Sequence, residues 1–145
     1  MITLEYIKTN ENAAEPAKAT ESAAGYDLCA CIAGPVSIEP GGRELIPTGI
    51  AVALPGGYVG LVFGRSGLAV KHGLALANGV GVIDSDYRGE LRVALINHSD
   101  TPYMVQNGDR IAQLCVMPVD NIRFAPVESL TETGRGTGGF GSTGK

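Results

Sequence analysis

The chain has 145 residues and a net charge of −4 with a pI near 5.1, so a broad electrostatic footprint for duplex DNA or an anionic membrane is not expected. Apolar residues make up 44% and charged residues 18%, a globular composition suited to one domain. No apolar run approaches the roughly 18 residues of a membrane span. The first residues lack the basic and apolar blocks of a secretion signal, so a cytoplasmic protein is expected. Glycine is the outlier: 21 residues disfavour a helical bundle and favour turns, bulges and close approach of backbone to a ligand.

In chain order, residues 2–7 alternate, with Ile2, Leu4 and Tyr6 on one face, and predict a strand. Residues 10–24 contain Pro16 and little apolar periodicity and predict an exposed loop. Short strands are predicted over 24–33, 36–38, 50–54 and 58–63. Residues 66–71 predict one helical turn capped by Ser66. Residues 79–87 predict a strand and tight turn, with Val80, Val82 and Ile83 burying the segment. Leu91, Val93 and Leu95 predict a half-buried strand. After a turn at Asn107-Gly108-Asp109, residues 110–117 are apolar on both faces and predict a central, doubly covered strand. Many short strands with almost no helix predict an all-β jelly-roll-like sandwich or barrel. Six of the eleven residues from Gly134 to Gly144 are glycine, which predicts a flexible tail. The domain reading is 1–131 for the β domain and 132–145 for a C-terminal lid segment. Cys29, Cys31 and Cys115 form no recognisable zinc or disulfide pattern and predict free thiols in a reducing compartment.

Several segments admit a chemical reading. Gly64-Arg65-Ser66-Gly67, between a strand and a helical turn, is either an anion cradle or a turn with a surface arginine. In Asn78-Gly-Val-Gly-Val-Ile-Asp-Ser-Asp-Tyr-Arg-Gly89, Asp84 follows directly on an apolar run. There it is either a partly buried general base for water or a turn residue bonding local backbone. Tyr87 offers a flat body for a sugar or base. Asp27 is either one carboxylate of a hydrated Mg²⁺ site or a turn aspartate. Gln113 is either a ligand or a backbone-bonded core amide. Phe140, alone on the tail beside Arg135, gains nothing in water unless it stacks on a base.

Five stretches in this order, Ala24-Gly-Tyr-Asp-Leu28, Arg65-Ser-Gly67, Asn78 to Gly89, Gly108-Asp-Arg-Ile-Ala-Gln113 and Arg135 to Gly144, together resemble the trimeric dUTPase family. The resemblance implies a β jelly roll and a homotrimer with active sites at subunit interfaces. It implies Mg²⁺-assisted hydrolysis of dUTP to dUMP and pyrophosphate, which limits uracil incorporation into DNA and supplies dUMP. By position, Asp84 would activate the water that attacks the α-phosphate. Asn78 and the backbone near Val82 and Ile83 would read uracil. Tyr87 would pack under the deoxyribose and exclude a 2′-hydroxyl. Arg65, Ser66, Gly67 and Gln113 would hold phosphates, and Asp27 would orient waters on Mg²⁺. The tail would close over the site, Phe140 stacking on uracil with Arg135, Gly141, Ser142 and Thr143 around the substrate. The chain departs from the family at Gly64, where proline is usual. A deaminase on the same type of fold is disfavoured by the Asp84-Ser-Asp-Tyr87 hairpin and the Gly-Phe-Gly tail. A non-catalytic nucleotide-binding module is disfavoured by the presence of Asp84, Arg65 and Phe140.

Overall fold

A computed structural model describes residues 2–140. Its strands are β1 (Glu5–Lys8), β2 (Tyr26–Cys29), β3 (Val36–Ile38), β4 (Arg43–Ala53), β5 (Tyr58–Phe63), β6 (Leu74–Leu76), β7 (Gly81–Ile83), β8 (Glu90–Asn97), β9 (Tyr103–Val105) and β10 (Arg110–Pro118); one helix, α1 (Ser66–His72), follows β5. Two four-stranded sheets, ordered β1-β4-β8-β6 and β2-β10-β5-β7, and a β3-β9 ribbon form the jelly-roll-like sandwich that the all-β pattern predicts.

Alternation explains β8 best. Leu91, Val93 and Leu95 point inward and are at most 2% exposed, while Arg92 faces solvent. Together with Ile46, Ile50 and Val52 of β4 and Leu28, Ile111 and Leu114 of the opposite sheet they form the core. β10 is central, between β2 and β5, as predicted. It is covered on both faces only at Ile111 and Ala112, because Cys115 and Val116 are half-buried and Met117 is exposed.

The first strand differs from expectation. β1 starts at Glu5 and all four of its residues are exposed; Leu4 packs against the core, but Ile2 and Tyr6 do not bury. β1 lies at the edge of its sheet, where only β4 covers it. The 10–24 segment is a loop, as predicted, but Ala13 plugs into the core and Ala17 bridges to Asp27.

β4 carries a register shift between Pro47 and Ala51 against β8. Gly49 sits in this bulge at φ +68°, and a side chain there would also collide with Ala13. Thr48 closes the bulge from within, its hydroxyl donating to the Leu91 carbonyl at 2.6 Å.

Asn97 continues the inward row of β8 but is polar and fully buried. Its Nδ2 donates to the carbonyls of Ile38 (2.9 Å) and Thr101 (2.8 Å), and its Oδ1 accepts from the Ser99 N–H (2.9 Å) and hydroxyl (2.7 Å). Asn97→Leu strands the Ile38 carbonyl in the core, so we expect a loss of about 3 kcal/mol. Thermal unfolding should report this as a fall of about 10 °C.

Candidate active site

The phosphate-type residues gather in one row across three strands. In register, Gln113 of β10 faces Asp27 of β2 on one side and Phe63 of β5 on the other. Two residues beyond Phe63 comes Arg65. Its Nε lies 3.1 Å from Asp27 Oδ1, and Arg110 Nη1 lies 3.2 Å from Asp27 Oδ2. Arg65 Nη1 also donates to the Arg110 carbonyl at 3.2 Å, and Gln113 Nε2 donates to the Gly64 carbonyl at 3.2 Å. The Asp27 side chain is only 13% exposed, so two guanidiniums aim its carboxylate rather than solvent. One carboxylate against two arginines leaves net positive charge at this spot, suited to an anion.

Gly25 makes room for this arrangement. A Cβ there would lie 2.8 Å from Gln113 Oε1. Arg110 is a member that residue patterns alone did not single out. It opens an apolar strand, where a surface arginine is unremarkable, and its partner Asp27 is 83 positions away. Burial pushes the Cys29 thiol up, the Asp27 carboxylate adds to this, and Arg110 and Arg65 oppose it. The thiol therefore stays neutral beside the arginines near pH 7.

Helix α1 begins at Ser66, so Ser66 is not its cap. Arg65 occupies that position with extended backbone (φ −98°, ψ 129°) and no side-chain cap bond. Using Arg65 as the hinge into the helix leaves its guanidinium free to reach Asp27. Ser66 and Gly67 are exposed in the first turn, which contains no acidic residue. A Cβ on Gly64 would meet nothing within 4 Å, and its φ is outside the left-handed region. Gly64→Pro is thus expected to stabilise the fold by about 0.4–1 kcal/mol by restricting the unfolded chain. A melting curve checks this, and an unchanged or lower midpoint contradicts it.

The second group lies on β7 and the turn after it. Val82 pairs with Leu61 and Ile83 with Gly60. Only Ile83 packs against the core; Val80 and Val82 are 39% and 61% exposed, against the expectation that they bury the segment. The reason is sheet order: β7 is an edge strand with β5 on one side alone. Asp84 is likewise exposed rather than partly buried. Its carbonyl accepts from the Tyr87 N–H at 3.1 Å to close the turn. Among the described residues its carboxylate takes no hydrogen bond, so it does not serve as a backbone-bonding turn aspartate. Asn78 is exposed in the turn before β7. Tyr87 is fixed by its hydroxyl, which donates to the Glu90 carbonyl at 3.0 Å.

One chain does not join the two groups. Continuing the β5–β7 register places Val80 in the row of Asp27, Gln113 and Phe63, and Asp84 four residues further along, about 13 Å away along the strands. The tail stands apart as well. Arg135 Nε donates to the Gly138 carbonyl at 2.7 Å, and the Phe140 ring is fully exposed. Gly141, Ser142 and Thr143 lie outside the described residues.

The dUTPase family profile matches residues 11–144. The chain belongs to the dUTPase family. A deoxyuridine 5′-triphosphate nucleotidohydrolase of Desulfitobacterium hafniense is 54% identical over 144 residues, which cover 99% of this chain and 95% of that relative. Among solved structures, a mutant dUTPase of Staphylococcus bacteriophage 80alpha with dUpNHpp superposes with a TM-score of 0.91 at 30% identity, covering all of both chains. A mutant dUTPase of Staphylococcus aureus phage phi11, described with a structural Mg(II) ion, superposes with a TM-score of 0.79 at 30% identity, over 88% of this chain and 98% of that one. These two phage dUTPases share the jelly-roll-like sandwich over most or all of the chain.

Proposed function

We propose that this protein is a dUTP diphosphatase that cleaves dUTP to dUMP and pyrophosphate, limiting uracil incorporation into DNA and supplying dUMP. The observation that carries the reading is the row in which Gln113, Asp27 and Arg65 meet, with a carboxylate at Asp84 held on a closed turn and left unpaired. The relatives' name and the phage enzyme's dUpNHpp support the same substrate.

Arg65, Ser66, Gly67 and Gln113 hold the phosphates, the arginine trading part of its contact with Asp27 for the incoming anion. The outer side of β7 has no strand partner, so backbone groups near Val82 and Ile83 are open to a uracil edge, with Asn78 beside them. Asp84 takes a proton from a water as its oxygen bonds the α-phosphorus and the bond to the bridging oxygen breaks, releasing pyrophosphate. Tyr87 packs under the deoxyribose. Arg135, Phe140, Gly141, Ser142 and Thr143 close over the bound nucleotide, as residues 132–145 form a lid on a domain of residues 1–131.

The donor set fits Mg²⁺ brought by the substrate. No group of three or more His, Cys, Asp or Glu able to hold a metal occurs among the described residues. Each Asp27 oxygen keeps a lone pair for a metal-bound water besides its arginine. Bound there, Mg²⁺ supplies neutralisation of phosphate charge.

The offset of about 13 Å within one chain argues for sites built between copies, and we propose a homotrimer. Exposed Val80 and Val82 and the apolar residues Ile122, Phe124 and Leu130 of the segment after β10 are surface for such contacts. No helix among the described residues is long and apolar enough to cross a membrane. Three free thiols suit a cytoplasmic location, with no direct nucleic-acid binding. The test is pyrophosphate release from dUTP, dTTP, dCTP and UTP with Mg²⁺ present. Release from dUTP alone is expected; ammonia from dCTP, or no release from any, overturns the reading.

A further inference from the structure

We propose that Glu90 is a positioning residue that sets sugar selectivity by locking Tyr87 to the β4 bulge. The inference rests on the reading of Tyr87 as the surface under the deoxyribose. Glu90 holds on both sides. Its main-chain carbonyl accepts the Tyr87 hydroxyl at 3.0 Å, and its Oε1 accepts the Gly49 N–H at 2.7 Å in a part-buried contact with a residue 41 positions away. Gly49 cannot drift, because it is the left-handed residue of the bulge and is wedged against Ala13 and Cys31. The neighbouring Thr48 hydroxyl ties the same bulge to the Leu91 carbonyl. Arg92 Nε, 3.3 Å from Glu90 Oε2, occupies the other carboxylate oxygen. Between Tyr87 and Glu90, Gly89 removes the last freedom: a Cβ built on it would fall inside the Tyr87 phenol. The hydroxyl end of the ring therefore packs directly against Gly89, at a position set by β4 through Glu90. Bulges beside sites commonly aim side chains in this way. A ring that excludes one hydroxyl must be placed to within about 1 Å, since a shift of that size can cost about 100-fold.

The experiment compares kcat/KM for dUTP and UTP in Glu90→Ala, Glu90→Gln and Gly89→Ala, with the 19F signal of 3-fluorotyrosine at Tyr87 and amide exchange at Gly49 recorded on the same proteins. In Glu90→Ala, Gly49 exchange should accelerate, the Tyr87 signal should move, and the dUTP-to-UTP preference should fall by about ten-fold or more. Glu90→Gln keeps an acceptor for Gly49 and should restore most of the preference. Gly89→Ala leaves β4 untouched and should lower the preference alone, so the proposal stays testable if Glu90→Ala fails to fold. A purely structural role would lower the melting point and slow both substrates equally; that result, or an unmoved Tyr87 signal in the folded variants, overturns the proposal. Failure of the unsubstituted protein to hydrolyse dUTP overturns the functional reading instead, while the fluorine and exchange data still judge the lock.

Discussion

Asp84→Asn should lower kcat on dUTP by about 10²–10⁴-fold while the affinity for dUTP stays close to that of the unsubstituted protein. The substitution is nearly isosteric and removes only the ability to take a proton. Asp84 is exposed and holds its turn through its main-chain carbonyl, not its side chain, so neither β7 nor the turn needs the charge. The melting point is accordingly expected to stay within about 0.5 kcal/mol equivalent of the starting value. Pre-steady-state turnover together with calorimetric binding of an uncleavable analogue measures both halves. Near-normal turnover in the variant would show that the base lies elsewhere.

Removal of residues 134–145 should be almost as damaging to turnover and harmless to the fold. The last core residue is Leu114, and residues 119–140 contain no buried side chain. Among the described residues the truncation deletes no buried side chain, so the unfolding midpoint should hold. Turnover should drop by about 100-fold or more, because Arg135 and the residues beyond it are donors expected to act on developing phosphate charge, and Phe140 is expected to cover the base. Full activity after truncation would remove the lid from the mechanism.

Much of this was readable from residues alone, for identifiable reasons. The row Leu91, Val93, Leu95 marked an inward face because period-two alternation needs no knowledge of neighbours. The bounds of β3 and β5 followed from glycine and proline punctuation, and the central place of β10 from its double apolar run. Val80 and Val82 misled because exposure on an apolar strand depends on sheet order, which is a long-range property. Ser66 misled because it is the first helical residue and not the one before it; Arg65 takes that position while its guanidinium pairs with Asp27. Arg110 and Glu90 were invisible for a common reason: each works through a partner far away in the chain, Asp27 and Gly49. The five segments pointed to the family that the comparisons show, but not to the separation that one chain keeps between Asp84 and the arginines.

The two groups proposed to bind the nucleotide rest on unequal foundations. Gln113 lies on β10, which is paired on both sides; Asp27 lies on β2 at the opposite edge of the same sheet, but is bridged on its outer side to Ala17 and held by two arginines. Val82 and Ile83 belong to a three-residue strand at the border, anchored on one side. As temperature rises, the border loosens first. The protein should then go on gripping triphosphates while it grows careless about which base they carry, so fidelity fails before affinity does.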